Sequence, residues 1–442
     1  MALSGLDIYK LLPKTNCREC GFVTCLAFAM QLAKKAVSID KCPYLSEEAK
    51  KILEAASQPP IRLVTIGEGE DKLEVGNETV LFRHEEKFHH PCGIGFIIED
   101  SLPDKEILDK VSEINKLQFE RVGQQLKVNL VALRQNSSKE RFVRALNLIA
   151  PKTTLGLVLM SDDVPALQQA LTIIRGRRPL IYRATKSNLA EVAKLAKEFG
   201  AALVVSADSL DATAELAAEL MKQGVDDLIL DSAGADIAAQ IWDLVQVRRQ
   251  ALKKSNRSLG YPVLTVVERK DPYEEVIAAA TYITKYAGIV LMKGVRREQV
   301  LPLLTLRQNI YTDPQKPLQI EPKLYSIGSA NEKSPLLVTT NFSLTYYTVL
   351  GEVEASKIPS FILSVDTEGM SVLTAWAAEK FTADKIADFL NKFAVKDSVK
   401  HNSLIIPGYV AVISGELEEK SGWRVYVGPK EATGIPSFLK NL

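Results

Sequence analysis

The chain has 442 residues, 46% of them hydrophobic, with 55 basic and 54 acidic side chains and a formal net charge of +1. That length allows about three domains with sizeable cores. The charge balance argues against nucleic acid or an anionic membrane surface as the main partner, and no apolar run approaches the ~18 residues of a spanning helix. No basic-then-apolar signal opens the chain at Met1-Ala2-Leu3-Ser4-Gly5, and a chain with free thiols and no signal reads as cytoplasmic and reducing.

Leu6, Ile8, Tyr9, Leu11 and Leu12 predict a short amphipathic helix that stops at Pro13. The loop after it carries Cys17 and Cys20. Cys25 opens a helical run to Ala33, and Cys42 follows just before Pro43, so the spacing is C-x2-C-x4-C-x16-C. Only Cys92 lies elsewhere. Disulfide frameworks suit small secreted domains. Structural zinc usually shows two close cysteine pairs, and here only the first pair fits. A [4Fe–4S] cluster takes four thiolates and tolerates one distant ligand. The pattern is read as iron–sulfur first, zinc second and no metal last. The first turn of the Cys25 helix suits a thiolate, because helix N-terminal amides favour negative charge. A further helix is expected over Ser46 to Ala56, then a stiff Ser57-Gln58-Pro59-Pro60 linker. Residues 1–58 form the expected first domain.

Over 61–312, short β-rich runs alternate with helical stretches. Nine runs qualify: residues 62–66, 95–98, 128–132, 155–159, 179–182, 202–205, 227–230, 263–267 and 288–292. Continuous apolar runs separated by helices mean parallel strands covered on both faces. About eight such units in about 250 residues match a TIM (β/α)8 barrel, with a doubly wound open sheet as the alternative. The ninth run, either 61–66 or 95–98, is expected to form a hairpin or lid strand at the bottom. Asp208, Asp231 and Glu268, with Ser206 and Ser232, lie at or just past strand ends, where barrel catalysts sit. Their plainer reading is helix capping and partner contact.

A second linker runs from Asp313 to Pro322. Beyond it, 323–442 reads as a small Rossmann-like α/β domain with strands at 336–339, 360–365, 403–406 and 424–427, and with helical stretches over 344–356 and 371–393. Its strand ends carry Thr339-Thr340-Asn341, Asp366-Thr367-Glu368-Gly369-Met370-Ser371 and Gly428-Pro429, with Gly434 beyond. Ligands of open parallel sheets sit outside strand carboxyl ends, and hydroxyls with bare amides suit a neutral, amide-rimmed ligand. Ordinary capping by Thr367 and Ser371 is the plainer reading. The histidines are His84, His89, His90 and His401. His89-His90-Pro91-Cys92 reads as a polar loop beside a buried cysteine rather than a metal site. No dinucleotide fingerprint, Walker loop or nucleophile elbow is present.

Three stretches carry a resemblance. They are Leu6 to Pro13 with Asn16-Cys17-Arg18-Glu19-Cys20-Gly21 and Cys25 to Ala29, then Thr340-Asn341-Phe342-Ser343-Leu344-Thr345-Tyr346 with Gly351-Glu352-Val353-Glu354, and Gly369-Met370-Ser371-Val372-Leu373-Thr374. Together they resemble the large (gamma) subunits of the corrinoid iron–sulfur proteins of the reductive acetyl-CoA (Wood–Ljungdahl) pathway, over essentially the whole chain, with the bacterial form the closer match. The resemblance implies an anaerobic methyl carrier, a component of a methyltransferase system that needs partner enzymes. Cob(I)amide would accept the methyl group of methyltetrahydrofolate from a separate methyltransferase. Methyl-cob(III)amide would pass it to the nickel site of acetyl-CoA synthase/CO dehydrogenase. A [4Fe–4S] cluster on Cys17, Cys20, Cys25 and Cys42 would reductively reactivate cob(II)amide, using electrons from a donor such as a ferredoxin. The reacting centre would be the cobalt, with no catalytic side chain. The resemblance further implies a smaller barrel subunit as heterodimer partner, and cobamide contacts on Thr340, Tyr346, Met370, Ser371, Val372, Leu373, Thr374 and Gly434.

No D-x-H-x-x-G motif supplies a histidine to the cobalt, and His401 lies outside any such pattern, so the lower face is expected to lack a protein nitrogen ligand. Thr374 would lie near that face. The segments around Pro59-Pro60 and over 313–322 are expected to act as hinges. Two other classes compete: an iron–sulfur electron-transfer protein without corrinoid, which predicts further cysteine clusters, and a barrel pterin methyltransferase, which predicts an Asp and Asn pair at strand ends.

Overall fold

The structure, a computed structural model, describes residues 5–33, 36–50, 53, 59–232 and 234–442. The chain forms two compact units. One runs to Gln118 and resumes over Lys127–Tyr311; the other combines Phe119–Leu126 with Thr312–Leu442.

In the first unit, helices Gly5–Leu11 and Cys25–Ala33 pack Ile8, Leu12, Phe28 and Ala29 together with Cys25 and Leu53. Ser46 accepts the Ala49 amide at 3.2 Å, which starts the expected helix, but residues 51, 52 and 54–56 of that helix and Ser57-Gln58 of the linker lie outside the described residues. The Pro59 carbonyl then accepts from the Arg257 guanidinium, and the Arg62 amide donates to the Gly260 carbonyl.

Strands Val64–Ile66 (β1) and Leu73–Val75 (β2) pair antiparallel. Their side chains pack against Leu130, Leu180 and Ile289, which lie at strand beginnings, so the hairpin plugs the amino-terminal mouth of a barrel. The first of the nine apolar runs is therefore the hairpin. The barrel strands are Gly93–Glu99 (β3), then, after a second hairpin of Gln118–Arg121 (β4) and Gln124–Lys127 (β5), Leu130–Arg134 (β6), Gly156–Met160 (β7), Leu180–Ala184 (β8), Ala202–Val205 (β9), Leu228–Asp231 (β10), Val263–Val267 (β11) and Ile289–Met292 (β12). All eight are parallel and close in the order β10-β11-β12-β3-β6-β7-β8-β9. Strands buried on both faces need apolar residues at every position, which is why β7, β9 and β12 read as unbroken hydrophobic runs. Short polar residues start the outer helices: Ser138, Asp163, Ser209, Asp236 and Asp271 each accept a first-turn amide.

The β4–β5 hairpin leaves the barrel sequence and joins the second unit. Its turn is Val122-Gly123, both left-handed (φ 55° and 68°), as a two-residue hairpin loop requires. A β-branched residue is costly there. Val122 is nonetheless kept because its side chain is buried with Ile320, Leu337, Tyr346 and Ile362.

The second unit is a five-stranded sheet of Leu324–Ile327 (β13), Leu336–Thr340 (β14), Ser360–Val365 (β15), Ser403–Ile406 (β16) and Arg424–Val427 (β17), in the order β13-β15-β14-β16-β17. All pairings are parallel except the edge strand β13. That strand is absent from the sequence reading because it is short and only half-buried. The expected helical stretch over 371–393 is two helices, Val372–Ala377 and Ala383–Lys392, broken where Glu379 turns left-handed and Thr382 caps the second. The expected hinge over 313–322 is bound at its far half. Gln319 bridges Phe342, the Ile320 amide donates to the Asn341 carbonyl at 3.0 Å, and Ile320 is buried.

Candidate cofactor sites

The four front cysteines converge. Cys25 is buried at the start of its helix, Cys20 and Cys42 are half-buried against the same cluster, and Cys17 is exposed. Burial pushes the Cys42 thiol up, and Cys20, Cys25 and Cys17 lie near enough to push it further. Between Pro13 and Thr24 the backbone turns left-handed at Lys14, Asn16, Arg18 and Gly21, which winds the loop tightly round Cys17 and Cys20. Asn16 Oδ1 accepts the Cys25 amide at 2.8 Å and Thr24 Oγ1 accepts that of Ala27. These two side chains fix the loop to the helix and consume part of its first-turn donor set. Among the described residues, no three His, Cys, Asp or Glu side chains close round a single metal ion.

At the carboxyl end of the second sheet lies a cavity of about 310 Å³. Its floor is Leu337, Val338, Thr339, Ile405 and Ile406. One wall is the helix face Leu344, Thr345, Thr348 and Val349, another is Ser371-Val372-Leu373, and the rim carries Tyr409, Pro429 and Lys430. Among the described residues, Lys430 is the one charged side chain on its lining. Volume and apolar lining fall within the range of small-molecule sites. Thr339 Oγ1 is buried there without a hydrogen-bond partner, and Thr340 Oγ1 and Ser364 Oγ on the same strand ends are likewise unpartnered. Large apolar side chains stand exposed around the mouth, among them Leu344, Leu373 and Tyr409.

Of the eight residues expected to touch a cobamide, Ser371, Val372 and Leu373 line this cavity. Thr374 is exposed, its hydroxyl 3.0 Å from that of Ser371. Met370 packs on the core of the opposite sheet face. Thr340 is fully buried, and Gly434 lies beside Pro429 just outside the lining. Tyr346 points elsewhere: it is buried against Tyr325, ring centroids 4.8 Å apart, with Tyr347 at 5.4 Å. Sequence reasoning missed Thr345, Thr348 and Val349, Tyr409 and Phe438. The signal was present in Ser343–Ser356, whose apolar residues are spread round the helix rather than along one stripe, as expected of a helix with two apolar neighbours.

The loop above the cavity is held by Asn341, which is fully buried. Its Oδ1 accepts from the Thr367 amide (2.9 Å), the Thr367 hydroxyl (3.0 Å) and the Gly369 amide (3.0 Å). Its Nδ2 donates to Gln319 (3.1 Å) and Asp366 (3.2 Å). Thr367 therefore serves this hub rather than a helix cap, and Ser371 stands at a cap position without a capping bond.

His401 sits at the opposite end of the sheet. Its Nε2 meets the Ser334 carbonyl at 2.8 Å and its Nδ1 meets Ser403, both at strand beginnings. At the barrel mouth the strand-end acids are not helix caps. Asp231 accepts from the Tyr182 hydroxyl (2.9 Å) and the Ser206 hydroxyl (3.0 Å), with Arg183 at 3.5 Å. Burial pushes its carboxyl up against those donors. Glu268 pairs with Arg134 and Lys293, and Lys293 with Glu99. Asp208 is exposed, and Ser232 Oγ is buried without a partner. Cys92 is fully buried, its thiol pushed up to about 12 by that burial, and His90 is tied to the Gly76 carbonyl.

Fold and sites define an α/β protein in which a closed parallel barrel is joined to a four-cysteine helical module and to a parallel-sheet unit with a ligand-sized cavity. Residues 63–439 match the family described as CO dehydrogenase/acetyl-CoA synthase delta subunit, and residues 12–44 match an Fe-S cluster family. The corrinoid/iron–sulfur protein large subunit of Moorella thermoacetica is 47% identical over 100% of this chain and 99% of its own. The acetyl-CoA decarbonylase/synthase complex subunit gamma of Methanothermobacter thermautotrophicus is 36% identical, again over 100% and 99%. The chain belongs to this family of corrinoid/iron–sulfur protein large subunits. Among solved structures, the dihydropteroate synthase of Thermus thermophilus matches 57% of this chain and 100% of its own at 14% identity, with a TM-score of 0.38; at that level the likeness decides nothing about chemistry. Among the described residues, no helix is long and apolar enough to cross a membrane.

Proposed function

We propose that this chain is the methyl-carrying large subunit of a corrinoid iron–sulfur protein. Its partners would be a smaller barrel subunit, a methyltetrahydrofolate methyltransferase, acetyl-CoA synthase/CO dehydrogenase and a low-potential electron donor. The observation that carries the reading is the pairing, in one polypeptide, of a gathered four-thiol module with an apolar cavity floored by an unpartnered buried hydroxyl. When bound, a cobamide supplies a cobalt that takes up and releases a methyl group, and a [4Fe–4S] cluster supplies the electron that restores it.

The residues fit both groups. Cys17, Cys20 and Cys25 lie near Cys42 in one small module, and four thiolates with one distant ligand suit a cluster. Leu344, Leu373 and Tyr409 present apolar surface at the cavity mouth, suited to a flat macrocycle. The cavity itself is too small for that macrocycle and suits the nucleotide end of the same molecule. Ser371 to Leu373 are aimed by the Asn341 hub. His401 is anchored at the far end of the sheet, in keeping with a lower face that has no protein nitrogen ligand. The barrel acids Asp231 and Glu268 are already engaged with Tyr182, Ser206, Arg134 and Lys293, so the barrel is read as scaffold rather than as a pterin methyltransferase. A visible spectrum of anaerobically purified protein tests the reading. Cobamide bands together with iron–sulfur absorbance are expected, and cluster bands alone, with no corrinoid taken up even beside the smaller subunit, would replace this reading with electron transfer.

A further inference from the structure

We infer that Thr339 selects what the cavity accepts: its hydroxyl donates a hydrogen bond to a ring nitrogen of the heterocyclic base at the nucleotide end of the cobamide. This rests on the cobamide reading above and goes beyond it by naming the residue that reads the base.

The register pairs Thr339 with Ser364 on adjacent parallel strands, so the two side chains share a sheet face. Alternation along the strand puts Leu337, Ile362 and Ile405 on that same face and Val338 and Leu363 on the other. Thr340 therefore points away from the cavity's helix wall, and Thr339 points toward it. Thr339 is 1% exposed and lines the cavity, yet its Oγ1 has no partner. A buried hydroxyl without a partner costs free energy that a valine of nearly the same shape would not.

The walls near it offer no relief, since Leu344, Val349, Ile435 and Phe438 are apolar. Among the other lining hydroxyls, Thr348 donates to the Leu344 carbonyl at 2.8 Å, Ser371 meets Thr374 and Tyr409 donates to Glu431, while Thr345 is only half-buried, so Thr339 is the lining hydroxyl that is both fully buried and unpartnered. A buried donor in an apolar slot makes sense when the occupant brings an acceptor. A benzimidazole-type or purine base carries a ring nitrogen lone pair that, once the base lies in the slot, needs a donor. A phenolic base has no such atom.

The test uses the full chain, anaerobically reconstituted with its cluster and its smaller subunit. Wild type, Thr339→Val and Thr339→Ser are each loaded with a benzimidazolyl cobamide, a phenolyl cobamide or cobinamide, which lacks the nucleotide. Retention is measured by competition and visible absorbance. Wild type is expected to favour the ring-nitrogen base about tenfold, the worth of one buried hydrogen bond. Thr339→Val should bring the two within about twofold by weakening only the benzimidazolyl form, and Thr339→Ser should restore the preference. Apo Thr339→Val should unfold no earlier than wild type, which separates selection from folding. An unchanged preference in Thr339→Val overturns the inference. So does cobinamide bound as tightly as the complete cobamides, which leaves the cofactor reading standing. Refusal of every corrinoid by wild type removes both.

Discussion

Replacing Asn341 with alanine should disable the second unit's cavity without touching the barrel. The amide makes five hydrogen bonds with no exposed surface. Alanine leaves the Thr367 and Gly369 amides buried and unpaired, at roughly 1–3 kcal/mol each, and frees Gln319 and Asp366 to reach water. We expect a loss of about 3–5 kcal/mol from the second unit. A unit of this kind is stable by only about 5–15 kcal/mol, so the change is severe. Urea unfolding followed by tryptophan fluorescence reads it, because Trp376 and Trp423 lie in this unit and Trp242 in the barrel. Asn341→Asp sharpens the test. It keeps the three acceptor bonds but sets a carboxylate where Nδ2 stood, 3.2 Å from Asp366 Oδ1. Two carboxylates that close cannot both ionise cheaply, so the pair holds a proton with a folded-state pKa above its unfolded value. Such a group contributes stability below the unfolded pKa and loses it as pH rises through the folded one. Asn341→Asp should therefore be closer to wild type near pH 4 than at pH 7. A loss under about 1 kcal/mol for Asn341→Ala, or a pH trend of the opposite sign, would refute the hub.

Gly123→Ala should destabilise the second unit by about 1–2 kcal/mol, since the residue is left-handed and a Cβ would stand 3.0 Å from the Tyr325 hydroxyl; a shift in the barrel transition instead would detach the hairpin from that unit. Alanine at Cys17, Cys20, Cys25 or Cys42 should abolish iron–sulfur absorbance while a cobamide is still retained, and Cys92→Ala should leave iron content unchanged, both read by metal analysis. Arg248→Met should cost about 2–4 kcal/mol of barrel stability, because Arg248 and Glu78 are paired at 3.4 Å with both side chains buried and the acid would keep only the His89 and His90 amides, while the Val80 carbonyl would lose its guanidinium donor; thermal unfolding that moves by less than a degree would contradict this.

Local patterns carried much of the reading. The cysteine spacing, the helix that begins at Cys25, and the βα period of the barrel can each be judged within a window of about 20 residues, because strand and helix periodicities are short-range. Even the surplus ninth run was foreseeable as a hairpin, since a barrel of this type closes with eight strands.

What no window could show is where distant segments meet. Residues 119–126 lie in the barrel's stretch of sequence, and only the burial of Val122 among Ile320, Leu337 and Tyr346 assigns them to the other unit. The far half of the expected hinge turned out bound because Asn341 and Phe342 hold it across some 20 residues of chain. The cavity likewise draws on strand ends, a helix face and three loops that only sheet order brings together. The same order sent His401 to one end of the sheet and Thr339 to the other. Sequence settles which residues prefer to be buried; the pairing of parallel strands, a long-range choice paid in chain entropy, decides which of them share a wall.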